Sequence, residues 1–144
     1  MLRQFGVGGA VSLVNIAIHA LVMTMVFEAA QRAATKQRLH PSLFLVAVMV
    51  PTVSILMVTH TLEVMVWALA YRIVGAAPAG ADRLYFAFVN YATLGYGDIV
   101  PLERWRLLGP ITAMNGALLF GWSTAVMFEV LRKGWQIIGR PLRD

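Results

Sequence analysis

The chain has no cysteine, so neither a disulfide framework nor a thiolate metal site is open to it, and cysteine usage says nothing about redox compartment. Charge is scarce too. Only 13% of its 144 residues are Asp, Glu, Lys or Arg, where water-soluble globules carry about 25%. With 59% hydrophobic residues and a mean hydropathy of +0.70, the chain is excluded from the ordinary soluble class and belongs in a bilayer. Acidic residues number 7 against 12 basic ones. No basic cluster is dense enough for nucleic acid, and the basic residues flank apolar segments, where they act as topology signals.

A membrane helix needs about 20 apolar residues to cross a hydrocarbon core of about 30 Å. Residues 5–27 meet that length, interrupted only by Asn15, His19 and a few Ser and Thr, and we assign residues 1–30 to a first spanning helix. A cleaved signal peptide is the rival reading, but the apolar run exceeds the roughly 7–15 residues of a signal core. Residues 31–42 read as a polar cytoplasmic loop, and residues 43–74 as a second spanning helix with Pro51 as its expected kink. Gly75 to Gly80 is a linker of helix breakers, after which Asp82 can cap a helical piece over 83–92 that is too short to cross. Residues 105–132 form a last spanning helix, and 133–144 a cytoplasmic tail. Basic residues set the orientation. Arg32, Lys36, Arg38, Arg132, Lys133, Arg140 and Arg143 fall on one side, against Arg3, Arg72, Arg83, Arg104 and Arg106, which places the N-terminus outside and the C-terminus in the cytoplasm.

Between the short helix and the last span lies Thr93-Leu94-Gly95-Tyr96-Gly97-Asp98. Irregular backbone at membrane depth is tolerated only where protein buries it or water lines it, so this stretch implies a cavity. Glycine reaches positive φ at low cost, which lets successive carbonyls point to one axis instead of alternating as in a strand. Rings of such oxygens can replace the hydration shell of a potassium ion. The carbonyls of Thr93, Leu94, Gly95 and Tyr96, with the Thr93 hydroxyl, are the expected K+ ligands. Gly97 supports the loop, Tyr96 is expected to pack outward, and Asp98 stays at the mouth to raise the local cation concentration. One chain supplies one side of each ring and contains no internal repeat, so four copies around a cyclic axis are required.

From about Ile55 to Leu131, the order outer helix, linker, pore helix, Thr-Leu-Gly-Tyr-Gly-Asp filter and inner helix resembles the pore module of tetrameric potassium channels, in a small bacterial-type form with one extra N-terminal helix. The resemblance implies an all-α membrane protein with three transmembrane helices plus a re-entrant pore helix and filter loop per subunit, assembled as a homotetramer in a plasma (inner) membrane. It also implies passive potassium conduction, no cofactor beyond K+ as permeant ion, and Gly116 or Gly121 as bending points of the inner helix, although close packing explains membrane glycines as readily. Relatives often have Val where Leu94 stands. They commonly carry a tryptophan pair at the positions of Tyr85 and Phe86, so no indole braces Tyr96 here. Val89 stands where some relatives hold a carboxylate against the mouth aspartate, so Phe86 and Val89 must support the filter differently and Asp98 needs another partner, or water.

His60 and Glu63 lie three apart on one face of the second span, where ionisable groups are costly and face the protein interior. They read as a hydrogen-bond anchor behind the short helix, reaching toward Asn90 or Tyr91, or else as a proton-sensitive gate. Two ligands fall short of a zinc site. Asn15 and His19, four apart, suit bonding to the second helix; Asn115 and Ser123 or Thr124 are candidates to line the cavity; Trp105 and Trp135 read as interfacial anchors. The first helix lacks the arginine ladder of a voltage sensor, and no ligand-binding domain is expected beyond Asp144. A non-selective cation channel and a non-conducting accessory subunit are the alternatives. An intramembrane enzyme using His60 and Glu63 lacks a nucleophile-base or three-ligand constellation, so no enzymatic activity is expected.

Overall fold

The computed structural model describes residues 1–35 and 40–138. Four α-helices make up the described chain: α1 (Leu2–Thr35), α2 (Pro41–Val74), α3 (Arg83–Tyr91) and α4 (Leu108–Ile138), with a 3-10 turn at Glu103–Trp105 before α4. Three stretches, Leu2–Arg32, Ser42–Val74 and Glu103–Gln136, are long and apolar enough to cross a membrane. Among the described residues there is no strand.

The helices run further than the hydropathy blocks that announce them. Residues 31–35, expected in a loop, continue α1, whose last turns hold Arg32 on Glu28 at 3.0 Å, four residues apart. Pro41 starts α2 at a first-turn position, where its missing N–H would be unpaired in any case. At the other end Gly75 takes a left-handed φ of 62°, and the Ala76 N–H returns to the Tyr71 carbonyl at 3.0 Å, a glycine stop of the usual kind. The helix runs unbroken through Pro51, which leaves the Ala47 carbonyl without its helical donor. The short helix ends at Tyr91, with Ala92 as its cap. The last helix starts at 108 instead of 105, because Trp105 and Arg106 turn back onto the Leu102 and Glu103 carbonyls. It continues past 132 to Ile138, where Arg132 and Lys133 both lie on Glu129. Lys36, Arg38, Arg140 and Arg143 of the orientation argument lie outside the described residues.

Packing follows the small and apolar positions. The short helix sits between α2 and α4, while α1 lies against α2 and α4. A core around α3 joins Val64, Trp67, Tyr71, Phe86, Tyr91, Leu108 and Leu119, and a second cluster at the other end joins Met23, Val26, Leu56, Val126 and Val130. Gly8 lets α1 approach α4 closely, since a Cβ there would lie 2.8 Å from the Ile111 side chain. Large apolar side chains such as Leu13, Leu21, Met57, Leu69 and Phe128 remain exposed along the outer faces. Water would not tolerate so much contiguous apolar surface; lipid does.

Candidate functional site

The loop after α3 begins with a helix stop that glycine normally provides. The Thr93 N–H donates to the Asn90 carbonyl at 3.0 Å and the Leu94 N–H to the Val89 carbonyl at 2.9 Å. That crossed pair of bonds forms a Schellman motif, with Thr93 in its left-handed position at φ 59°. A β-branched residue there costs about 1–3 kcal/mol. Gly95 and Gly97 follow at φ 61° and 77°, while Leu94 and Tyr96 stay at negative φ, so handedness alternates residue by residue from Thr93 to Gly97. Such alternation turns successive peptide carbonyls to the same side. Among the described residues no donor meets the carbonyls of Thr93 to Gly97, and all six residues from Thr93 to Asp98 are exposed in the single chain, Tyr96 by 67%.

The two ends of the loop are held by short helical anchors. Asp82 caps α3, its Oδ1 accepting from the Leu84 and Tyr85 N–H groups at 2.9 and 3.1 Å. Tyr85, one turn in, then reaches across to the far end of the loop, where its hydroxyl donates to Asp98 Oδ2 at 2.6 Å. Asp98 Oδ1 takes the Ile99 N–H at 3.0 Å. The phenol bond, more than the backbone bond, holds the Asp98 carboxyl below the usual carboxylate range, and the same bond pushes the Tyr85 phenol up. Beyond the loop, the Leu102 N–H ties to the Ala76 carbonyl at 2.8 Å. Behind the loop lies a crevice of about 360 Å³ whose lining includes Val89, Asn90, Ile99, Pro101 and Ala113. Val89 and Phe86 are both buried, Phe86 with its ring 4.9 Å from that of Tyr71.

A family model described as an ion channel matches residues 43–133, from the start of α2 to the last turns of α4. The chain belongs to this ion-channel family. No curated protein and no solved structure gives a match. The matched part of this integral membrane channel contains α2, α3, the loop and nearly all of α4, and leaves out α1.

Sequence spacing left the roles of the channel's glycines and buried polar residues open. Gly116 is buried against the end of α3. A Cβ there would lie 3.0 Å from the Tyr91 carbonyl carbon and 3.1 Å from its ring Cγ, and closer still to the carbonyl oxygen. Its place is a close helix contact. Beyond its own helix backbone, a Cβ at Gly121 would have nothing within 4 Å among the described residues.

One polar network joins α2, α3 and α4, and α1 supplies part of it. The Glu63 carboxylate faces His19 Nδ1 at 2.9 Å through Oε1, and His60 Nδ1 at 2.9 Å and the Tyr91 hydroxyl through Oε2. Both imidazoles turn their other nitrogen to Ser123 Oγ, His60 at 2.9 Å and His19 at 3.4 Å. One turn away, Asn15 donates to the Glu63 carbonyl at 3.2 Å and to Asn115 Oδ1 at 3.1 Å, and the Trp67 indole donates to that same oxygen at 3.0 Å. Asn115 and Ser123, expected at the cavity wall, are therefore buried toward α1 and α2. Thr124 is exposed and bonds the Phe120 carbonyl of its own helix at 2.9 Å. Nearer the loop, the Tyr71 hydroxyl meets Thr112 Oγ1 at 2.6 Å. Trp105 is half-buried against the α3 core with no partner for its indole N–H among the described residues, while Trp135 is 59% exposed.

One of these partnerships is hidden in the sequence: Tyr85 stands there as a missing tryptophan, although its hydroxyl is the donor that Asp98 lacks. Asn15 and His19, expected to bond the second helix, both bond Glu63 of α2. What spacing does not give is that His19 and His60 share one carboxylate, although every long helix carries polar groups needing partners: Asn15 and His19, His60 and Glu63, Asn115 and Ser123.

Proposed function

We propose that four copies of this chain surround a common axis and form a potassium-selective channel, with residues 93–98 as the filter. In this reading α2 is the outer helix, α3 the re-entrant pore helix and α4 the inner helix. The N-terminus lies outside and the C-terminus in the cytoplasm. K+ is held by the carbonyls of Thr93, Leu94, Gly95 and Tyr96 and by the Thr93 hydroxyl. The observation that carries the reading is the run of alternating φ signs from Thr93 to Gly97, together with carbonyls that no donor among the described residues meets. Unpaired carbonyls at membrane depth are expensive unless a cation or water takes the donor's place.

Thr93 adds a second support. Glycine would relieve the left-handed strain at that position, so a threonine there points to use of its hydroxyl as a ligand below the carbonyl rings. Asp98, kept ionised by Tyr85, supplies negative charge at the mouth. Assembly would also cover Tyr96 and the exposed apolar face of α4.

Purified protein in liposomes with a potassium gradient tests the reading. Potassium should pass, sodium should be excluded and barium should block. Equal sodium and potassium flux would replace it with a non-selective cation channel, and absence of flux would favour an accessory subunit. Stoichiometry in detergent or lipid gives a separate check, since a stable dimer cannot place four equivalent loops around one ion.

A further inference from the structure

The His19, His60 and Glu63 side chains meet as a set that lacks one positive centre. Each offers a ligand atom, and those atoms lie within 4.8 Å of one another. Glu63 and His19 are fully buried, and His60 is 15% exposed. Among the described residues no lysine or arginine reaches Glu63; its carboxylate partners are the two imidazoles and the Tyr91 hydroxyl. A buried carboxylate needs a compensating charge.

Proton accounting makes the shortage specific. His60 Nδ1 also lies 3.0 Å from the Tyr91 hydroxyl, but accepting that proton would set its lone pair 2.9 Å from Glu63 Oε2, acceptor against acceptor. With both imidazoles donating from Nδ1 to the carboxylate instead, both Nε2 atoms are acceptors, and both face Ser123 Oγ. A serine hydroxyl has one proton. One Nε2 is then left without a donor inside the membrane. Reversing the demand resolves it: a cation between the two Nδ1 atoms and the carboxylate takes their lone pairs and turns both Nε2 atoms into N–H donors. Ser123 Oγ has two lone pairs to receive them. That is the outer hydrogen bonding that histidine metal ligands ordinarily have.

We propose that His19, His60 and Glu63 form a binding site for a divalent first-row transition cation of the zinc class, with the Tyr91 oxygen beside it as a fourth ligand. Two imidazoles and a carboxylate are a ligand set such ions favour over Mg2+ or Ca2+. Metal–ligand bonds of about 2.0–2.1 Å place tetrahedral ligands about 3.4 Å apart. The present 2.9 Å contacts need to open by about half an ångström, and separations of up to 4.8 Å to close by up to about 1.4 Å. A groove of about 240 Å³ beside Met57, Phe88 and Phe120 reaches His60 and Tyr91. Bound metal would fasten α1, which lies outside the family match, to α2 and to the residue two before the proposed filter.

The test is binding, read without flux, so that a protein that binds metal yet passes no potassium would end the conduction reading alone. Chelator-stripped full-length protein in detergent is titrated with Zn2+ by calorimetry and with Co2+ by visible absorption. Quenching of Trp122, whose ring lies 5.2 Å from that of His19, is read in the Co2+ titration. One site per chain is expected, lost in His19→Gln and in His60→Gln, and weakened about 10–100-fold in Ser123→Ala, which keeps all four ligands. His40→Gln, at the exposed loop histidine, should bind as the wild type does. Size-exclusion profiles identify variants that fail to fold, and Ser123→Ala carries the test if the histidine variants do. The proposal is overturned by the absence of saturable binding, by binding that His40→Gln abolishes, by full affinity in folded Ser123→Ala, or by a set that takes up one proton and no metal.

Discussion

Gly116→Ala and Gly121→Ala form a matched pair on one helix, and the structure expects opposite outcomes. In a helix interior, glycine to alanine gains about 1 kcal/mol from backbone preference alone. Gly121, with open space around its Cα, should show that gain. At Gly116 the new methyl would lie 3.0 Å from the Tyr91 carbonyl carbon and nearer to its oxygen, where carbon contacts relax to about 3.5–4.0 Å. Helix α4 or the end of α3 must therefore move by something on the order of 1 Å, and overpacking of this kind costs about 1–3 kcal/mol or more. Tyr91 cannot yield freely. Its hydroxyl is held by Glu63, and the neighbouring Asn90 and Val89 carbonyls hold Thr93 and Leu94. The backbone gain is common to both, so the two variants should differ by the overpacking cost, about 1–3 kcal/mol, in denaturant unfolding in detergent. Only Gly116→Ala should also alter potassium flux in liposomes, because its strain passes to the loop. Equal stability of the two variants, or a Gly116→Ala protein as stable as wild type with unchanged flux, would refute the close-contact reasoning and return Gly116 to the role of a free bending point.

Tyr85→Phe removes the main cause of the lowered Asp98 value. With a depressed folded-state value, the Asp98 bond stabilises the loop at and above the usual carboxylate range and is lost only as pH falls through that lower value. The variant should lose conduction at a higher pH than wild type on acidification of the mouth side; coincident acid profiles would contradict the bond's role. Thr93→Gly relieves left-handed strain of about 1–3 kcal/mol, offset by about 0.5–1 kcal/mol of glycine chain entropy. It should be at least as stable as wild type while discriminating less well between potassium and sodium in liposome flux, and a destabilised but fully selective variant would show that the hydroxyl is not a ligand.

The order of elements was legible because its signals are local. Long apolar runs announce spans whatever they pack against, Gly75 stops α2 by its own backbone freedom, and Asp82 caps α3 with two bonds to residues two and three positions on. Helix ends were less legible. Residues 31–35 are polar yet helical, since hydropathy reports where lipid ends and not where backbone hydrogen bonding ends. Of the loop, glycine at 95 and 97 could be read directly, whereas the left-handed Thr93 could not, because it depends on how α3 terminates.

The sequence by itself determined a membrane chain of three spans and a short helix, followed by a glycine-patterned loop with carbonyls free to face one way, because hydropathy and backbone preference act within a few residues. Only the tertiary structure decided which polar groups meet. Tyr85 and Asp98 are 13 positions apart, His19 and Glu63 are 44, and His19 and Ser123 are 104. Such pairs are chosen by helix packing, which brings polar groups far apart in the chain within bonding distance inside a medium offering no water.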